Sequence, residues 1–194
     1  SVYHPDEFEY AGAAGGFVDY LGYPFCRGRI LSTVERDEGQ YDNRRDIFWA
    51  SGAAMCCRRD AYEELGGFDE EYFAHMEEID LQWRMQLCGW RIMVEPRSVV
   101  YHLGGGSLPT SSRKVYLNHR NNLAMLYKCS TTMQRMVVAV VRPFADMLEA
   151  VAYLVTLHPH KAWAIIRAWG TFMAWHSKLS QKRKAIRRVK KVGN

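Results

Sequence analysis

The stretch EYFAHMEEIDLQWR, residues 71–84, sets Glu77, Glu78 and Asp80 within four residues, directly after an aromatic-rich turn. Carboxylates that open a helix face the positive end of its dipole, and Asp80 and Arg84 stand at the i, i+4 spacing of a helical ion pair. Ile79, Trp83 and Leu87 recur every four residues, so the spacing predicts a helix over 77–87 that turns these three toward a core and stops at Gly89. On that account the acids are structural. The competing account is chemistry, because adjacent carboxylates also serve proton transfer. The flanking segments decide between them.

Upstream, DIFWASGAAMCCRR (residues 46–59) is an apolar run of strand-like length. RDAYEELGG follows as a short helix, with Asp60 as N-cap, Glu63 three residues later and Gly66 as the stop. Downstream, WRIMVEP and SVVYH read as short β segments separated by Pro96, and the second delivers His102 into the loop LGGGS. Residues 1–46, with AGAAGG and YLGYPFCRGR, read as loops, short strands and one short helix. From Arg113 the pattern turns helical, with RKVYLNHRNNLAMLYKC first and two or three amphipathic helices between Gln134 and Ser177, broken near LHPHK. No internal repeat is present. The expected organisation is an α/β body over 1–112 and a helical C-terminal region with a basic tail over 113–194.

The chain has 194 residues, 48% hydrophobic and 24% charged, an ordinary balance for a globular protein with a sizeable core. Its five cysteines form no C-x-x-C pair, which argues against a disulfide framework or a zinc cluster and fits a reducing, cytosolic setting. The net charge of +5 is concentrated at one end: eight Lys and Arg lie between Lys178 and Lys191, and without them the balance is −3. Such a tail meets anionic lipid, nucleic acid or only solvent. The apolar run MVVAVVRPFADMLEAVAYLVTL is interrupted by Arg142, Asp146 and Glu149, so it falls short of a membrane span and reads as a buried or interfacial helix pair. The opening SVYHPDEFEY has no Met, no basic start and no apolar run.

Adjacent acids at 77 and 78 and a strand-end His102, brought together by a helix–strand return, would supply a general base and a metal ligand. LGGGS lacks the Lys-Ser/Thr of a phosphate-binding loop. Taken in order, residues 48–107 resemble the second half of family 2 glycosyltransferases, especially rhamnosyltransferase-like members. The likeness runs through a strand with SGA, then GGFDE, an aromatic-rich loop, an acidic pair with DL..R, a glycine and strand, and P...V.H with glycines. It continues more weakly through RNNL.

The resemblance implies part of a GT-A fold, a Rossmann-like nucleotide-diphospho-sugar transferase architecture, followed by C-terminal helices. It also implies an inverting transferase that moves a sugar from a nucleotide-sugar donor to a carbohydrate or lipid-linked acceptor, in cell-surface polysaccharide or glycolipid assembly. Glu78 falls on the family's base, with Glu77 beside it and Asp80 near the acceptor or orienting. His102 matches a strand-end ligand of Mg²⁺ or Mn²⁺. Trp49, Ser51 and Gly52 match the edge of the sugar pocket, Asp69 an acceptor-side loop, and Arg84 an orienting position. Arg113, Lys114, Arg120 and Asn121 lie near the expected active face, where phosphate contacts or a capped, charged helix surface both fit.

The family's nucleotide-binding half, with its D-x-D motif, has no counterpart in these residues, so a fragment inactive by itself is expected. It would self-associate or use its C-terminal helices as cover. The alternatives are an inactive carbohydrate- or partner-binding fragment and a nucleic-acid binder acting through the tail. The main reading involves no nucleic acid, is cytoplasmic, and allows peripheral membrane contact through the C-terminal helices and tail.

Overall fold

The computed structural model describes residues 6–8, 14–30, 33–101 and 111–191, and within them the protein is a mixed α/β structure of two small sheets and six α-helices. The first sheet is an antiparallel meander of β1 (Gly16–Val18), β2 (Pro24–Cys26), β3 (Arg29–Ile30) and β4 (Thr33–Val34). The two-residue turn Arg27-Gly28 joins β2 to β3, with Gly28 at φ +81° where an L-residue would be strained. The second sheet pairs β5 (Arg45–Asp46) with β6 (Met93–Val94), and an isolated bridge from Gly16 to Trp49 ties the two together.

The strand expected over 46–59 is much shorter in the structure. Ile47 donates its N–H to Ile92 O and Trp49 pairs with Gly16, but Ser51 then turns the chain by capping Ala53 N of a single 3₁₀ turn, Gly52–Ala54. The segment SVVYH also forms no ladder over its described part: Val99, Val100 and Tyr101 are exposed, and no strand lies alongside to pair with them among the described residues.

Helix α1 (Arg59–Glu64) begins two residues earlier than its sequence indicates, with Arg58 at the cap position and Asp60 inside the first turn, paired to Arg58. It ends at Gly66 and Gly67, both at positive φ, which return N–H groups to Glu63 O and Tyr62 O. Helix α2 (Glu77–Leu87) has the expected bounds, and Gly89 at φ +89° closes it. Ile79 and Trp83 are buried and Leu87 packs against the same core, but Leu81 and Met85 are buried as well, so α2 is enclosed on nearly every side. Each such apolar side chain contributes about 1.5–3 kcal/mol.

The C-terminal region is α3 (Ser112–Cys129), α4 (Thr132–Val155), α5 (Pro159–Ala174) and α6 (His176–Val189), with the break at 156–158 where LHPHK indicated it. Ser111 and Thr131 cap α3 and α4, and Pro159 occupies the first turn of α5, where its missing N–H costs nothing. Helix α3 is central, packing on α2, α5 and α6. The main core joins Trp49, Tyr72, Ile79 and Trp83 to Met125 and Leu126 of α3 and to Leu179 and Ile186 of α6, so the helices cover the α/β part directly. No described helix is long and apolar enough to cross a membrane.

The basic tail is not a free end. In α6, Lys178 pairs with Glu71 and Lys182 with Asp69, and just past its end Lys191 pairs with Glu64, while Arg183 donates to Tyr127 O and Lys128 O at the end of α3.

Candidate active site

The two adjacent carboxylates stand at the first turn of α2, preceded by a loop whose backbone is unusual. Phe73, His75 and Met76 all have φ between +63° and +71° without being glycine. Each such residue costs about 1–3 kcal/mol and persists only where its surroundings hold it. Helix α3 supplies that hold. Asn121 Nδ2 lies 3.0 Å from Tyr72 O, 2.9 Å from Ala74 O and 2.8 Å from His75 O. Arg120 donates to Glu71 O at 2.9 Å and Tyr72 O at 3.0 Å, its guanidinium between the rings of Tyr116 and Trp175. The loop's carbonyls are thus fixed from beneath.

Under the loop lies a buried ionic network. Asp80 accepts from Tyr72 Oη at 3.1 Å and Arg84 Nε at 2.9 Å and sits 2.9 Å from Lys128 Nζ. Arg84 also donates to Leu65 O and Gly67 O, gripping the turn after α1. Lys128 pairs with Asp69, which caps the 3₁₀ turn Glu70–Tyr72. Burial works against the Lys128 ammonium, yet Asp80 and Asp69 outweigh it and hold its pKa above that of an ordinary lysine. Burial likewise opposes ionisation of Asp69, but Lys128 and Lys182 bring its carboxyl down to about 2.

Helix α2 is also stitched to the segment that carries Ser51 and Gly52. Gln82 takes Ala50 N at 2.7 Å and gives to Ala50 O at 2.8 Å, while Gln86 donates to Phe48 O at 2.8 Å. This brings Gly52 against Glu78: a Cβ added at Gly52 would stand 3.9 Å from Glu78 Cβ. Glu78 is largely buried. Burial first, and the charge of Glu77 second, push its pKa up to about 7, against the pull of backbone N–H groups including that of Gly52. Oε2 of Glu78 and Oε2 of Glu77 are both buried without a hydrogen-bond partner. Unsatisfied oxygens of this kind are uncommon in folded proteins and call for a partner, which water, an ion or a ligand supplies.

The structure therefore brings Glu77, Glu78, Ser51 and Gly52 together and sorts the remaining sequence candidates away from them. Trp49 does not edge a pocket; its indole is buried in the core and donates to Phe17 O at 2.9 Å. Asp80 is wholly enclosed, and Asp69, Arg84 and Arg120 are all engaged by protein groups. His102 lies outside the described residues. A cavity of about 550 Å³ opens beside Ser51 and Gln82, and neither Glu77 nor Glu78 lines it.

Two participants escape a reading of the sequence. Lys128 shares an inner face of α3 with Arg120 and Ala124, a four-residue recurrence that marks burial but names no partner. His75 sits within the strained loop, with Nε2 buried and unpartnered and its pKa lowered by burial and then by Lys114. Elsewhere His119, Asp146 and Glu149 gather ligand-type atoms within 4.8 Å of one another. Asp146 is already engaged there by Arg142, Tyr23 and Trp169.

Geometry and electrostatics define a mixed α/β protein with a largely buried carboxyl, its pKa raised to about 7, held at a helix start. Relatives narrow this. The chain is 38% identical over 88 residues to the N-acetylglucosaminyl-diphospho-decaprenol L-rhamnosyltransferase of Mycobacterium tuberculosis, a match covering 45% of this chain and 28% of that protein. It is 26% identical over 94 residues to the O-antigen biosynthesis protein RfbC of Myxococcus xanthus, 48% of this chain and 7% of that one. With the pre-mycofactocin glycosyltransferase of M. tuberculosis the identity is 38% over 56 residues, 29% of this chain and 12% of the relative. The chain thus spans less than a third of each of these relatives. No protein-family model matches it, and no solved structure does so significantly. The likeness to family 2 glycosyltransferases of the rhamnosyltransferase-like kind holds, at modest identity and over less than half of the chain.

Proposed function

We propose that this chain is the acceptor-side part of an inverting GT-A glycosyltransferase, in which Glu78 is the general base. The observation that carries the reading is Glu78 itself: a buried carboxyl with a pKa near 7 and an unpartnered oxygen, at the position the family resemblance gives to the base. A base is most effective when its pKa lies near the working pH. In this reading an acceptor hydroxyl oxygen forms a bond to the anomeric carbon from the face opposite the leaving group. The bond from that carbon to the diphosphate oxygen breaks, the departing nucleoside diphosphate keeps the electron pair, and the hydroxyl proton passes to Glu78.

Ser51 and Gly52 border the base, and the absence of a side chain at Gly52 leaves room for the acceptor. Asp80, Arg84, Arg120, Asn121 and Asp69 are positioning residues that hold the loop and the start of α2. The divalent ion, Mg²⁺ or Mn²⁺, is part of the same reading. The unpartnered Oε2 of Glu77 is a hard oxygen donor of the kind such ions take, so Glu77 and His102 would hold it. Once bound, it would offset charge on the departing diphosphate. The names of the relatives support a carbohydrate or lipid-linked acceptor and a role in cell-surface polysaccharide or glycolipid assembly.

The test has two arms. Carboxyl ¹³C NMR of this chain is expected to show Glu78 titrating near pH 7, and sugar transfer by the full-length protein is expected to fall about 10²–10⁴-fold in Glu78→Gln. Wild-type turnover in Glu78→Gln with a loss in Glu77→Gln that excess Mn²⁺ does not restore would move the base to Glu77. Wild-type turnover in both would end the assignment.

A further inference from the structure

Helix α4 is built inside out. Its four charged residues, Arg135, Arg142, Asp146 and Glu149, all turn toward the protein. Arg142 donates to Leu21 O at 3.0 Å and Asn122 Oδ1 at 2.6 Å. Asp146 accepts from Tyr23 Oη and Trp169 Nε1, Glu149 meets His119, and Arg135 lies over the Tyr127 ring. The outward face holds Met136, Val140, Phe144, Leu148, Val151 and Val155, spaced three or four apart and therefore in one stripe. Phe144 is 75% exposed and Val155 77%. A helix in contact with water carries its charges outside and its apolar residues within. Contiguous apolar surface on this scale marks an interaction face.

Past the end of α4, Leu157 and then Trp163 and Ile166 of α5 are exposed as well, and α5 borders a cationic cleft. The cleft, of about 550 Å³, lies where α3 begins against α5, and Arg113, Arg167, His160, Tyr116 and Trp163 line it. No described acidic residue lines it, and among the described residues neither Arg113 nor Arg167 is paired with a carboxylate. Their guanidinium groups are oriented by rings, Arg113 over Phe73 at 4.7 Å and Arg167 over Tyr116 at 4.3 Å. Trp163 is exposed and also lines the cleft, so an apolar side chain of α5 stands at the edge of the cationic site. An apolar face edged by Trp and unpaired Arg matches the two zones of a lipid monolayer, acyl chains and phosphate headgroups.

We propose that the outward face of α4 with the start of α5 is a membrane-docking surface, lying in the headgroup–acyl boundary of an anionic leaflet, with Arg113 and Arg167 taking lipid phosphate. A second copy of the chain fits less well, because nothing on the stripe answers the charge of the cleft. The inference stands on α4 and the cleft and not on the transferase reading. Membrane binding by a chain that transfers no sugar would leave it intact.

The test is flotation of the chain with phospholipid vesicles, either pure phosphatidylcholine or about one-third phosphatidylglycerol. The wild type is expected to float with the anionic vesicles. Phe144→Glu with Leu148→Glu is expected to lower partition at least about tenfold, while circular dichroism and melting stay as in the wild type because both side chains are exposed. Arg113→Glu with Arg167→Glu is expected to bring anionic binding down to the level seen with phosphatidylcholine alone. Failure of the wild type to float would overturn the proposal. So would flotation that survives Phe144→Glu with Leu148→Glu, or sedimentation showing that these substitutions turn a dimer into a monomer in a chain that never floats.

Discussion

Lys128 Nζ lies 2.9 Å from Asp80 Oδ1, with the lysine side chain 1% exposed and the aspartate fully enclosed. Attraction in such a place must outweigh the loss of hydration of both groups, and removing Lys128 leaves two buried carboxylates with only Arg84 and Lys182 to answer them. Lys128→Met is therefore expected to destabilise the fold by about 3–5 kcal/mol in urea unfolding. Lys182, which meets Asp69 with 31% of its side chain exposed, gives the contrast: Lys182→Ala is expected to cost less than about 1 kcal/mol. Equal losses would mean that the buried network has no special weight.

Glu78 links stability to pH with a definite sign. Its carboxyl releases a proton near its ordinary value of 4.5 when unfolded and only near 7 when folded. Between these values the folded state binds more protons, so its contribution to stability falls as pH rises from 4.5 to 7 and stays low above that. Glu78→Gln is expected to be more stable than the wild type at pH 8, by about 1–3 kcal/mol, and nearly equal to it at pH 4. Denaturant titrations at the two pH values measure the difference. A variant less stable than the wild type at pH 8 would show that the carboxylate is well satisfied.

Under the proposed assignment, the same carboxyl would set the pH dependence of transfer. A base acts in its deprotonated form, so turnover of the full-length protein is expected to rise with pH through an apparent pKa near 7, and the residual rate of Glu78→Gln is expected to lack that limb. A rising limb that persists unchanged in the variant would assign it to another group.

Much of this site was legible in sequence where the signal is local. The bounds of α2 follow from the recurrence of Ile79, Trp83 and Leu87 and from Gly89, and the break before α5 follows from Pro159. The pairing of Glu77 with Glu78 at a helix start is likewise a matter of neighbours in the chain. What sequence could not supply is partnership at a distance. Residues 99–101 are β-branched or aromatic and look like a strand, yet a strand needs a neighbour to exchange hydrogen bonds with. Trp49 sits beside Ser51 and Gly52 in a run that resembles a pocket edge, but the chain turns at Ser51 and the Trp49 indole is fixed in the core by its bond to Phe17 O. The tail's lysines read as a solvated charge run because Glu64, Asp69 and Glu71, which receive them, lie more than a hundred positions earlier.

Asn121 makes the link between the strained loop and the carboxylates testable. One side-chain amide faces the carbonyls of Tyr72, Ala74 and His75 while His75 and Met76 hold left-handed backbone immediately before Glu77. If the amide maintains that conformation, Asn121→Ala should cost about 2–3 kcal/mol through carbonyls left without a donor, and should release the loop. His75→Gly alone should change stability by less than about 1 kcal/mol, because glycine adopts positive φ freely while adding disorder to the unfolded chain. Combining them should cost less than the sum of the two, since with glycine at 75 the loop no longer depends on the clamp for its left-handed turn. Urea unfolding of the four proteins in this cycle gives the coupling directly. The ¹³C titration of Glu78 adds a second readout, because a released loop should let water reach the carboxyl and bring its pKa down from about 7 in Asn121→Ala. Strict additivity, with the Glu78 titration unmoved, would show that Asn121 fills space and pairs carbonyls without holding the base in place.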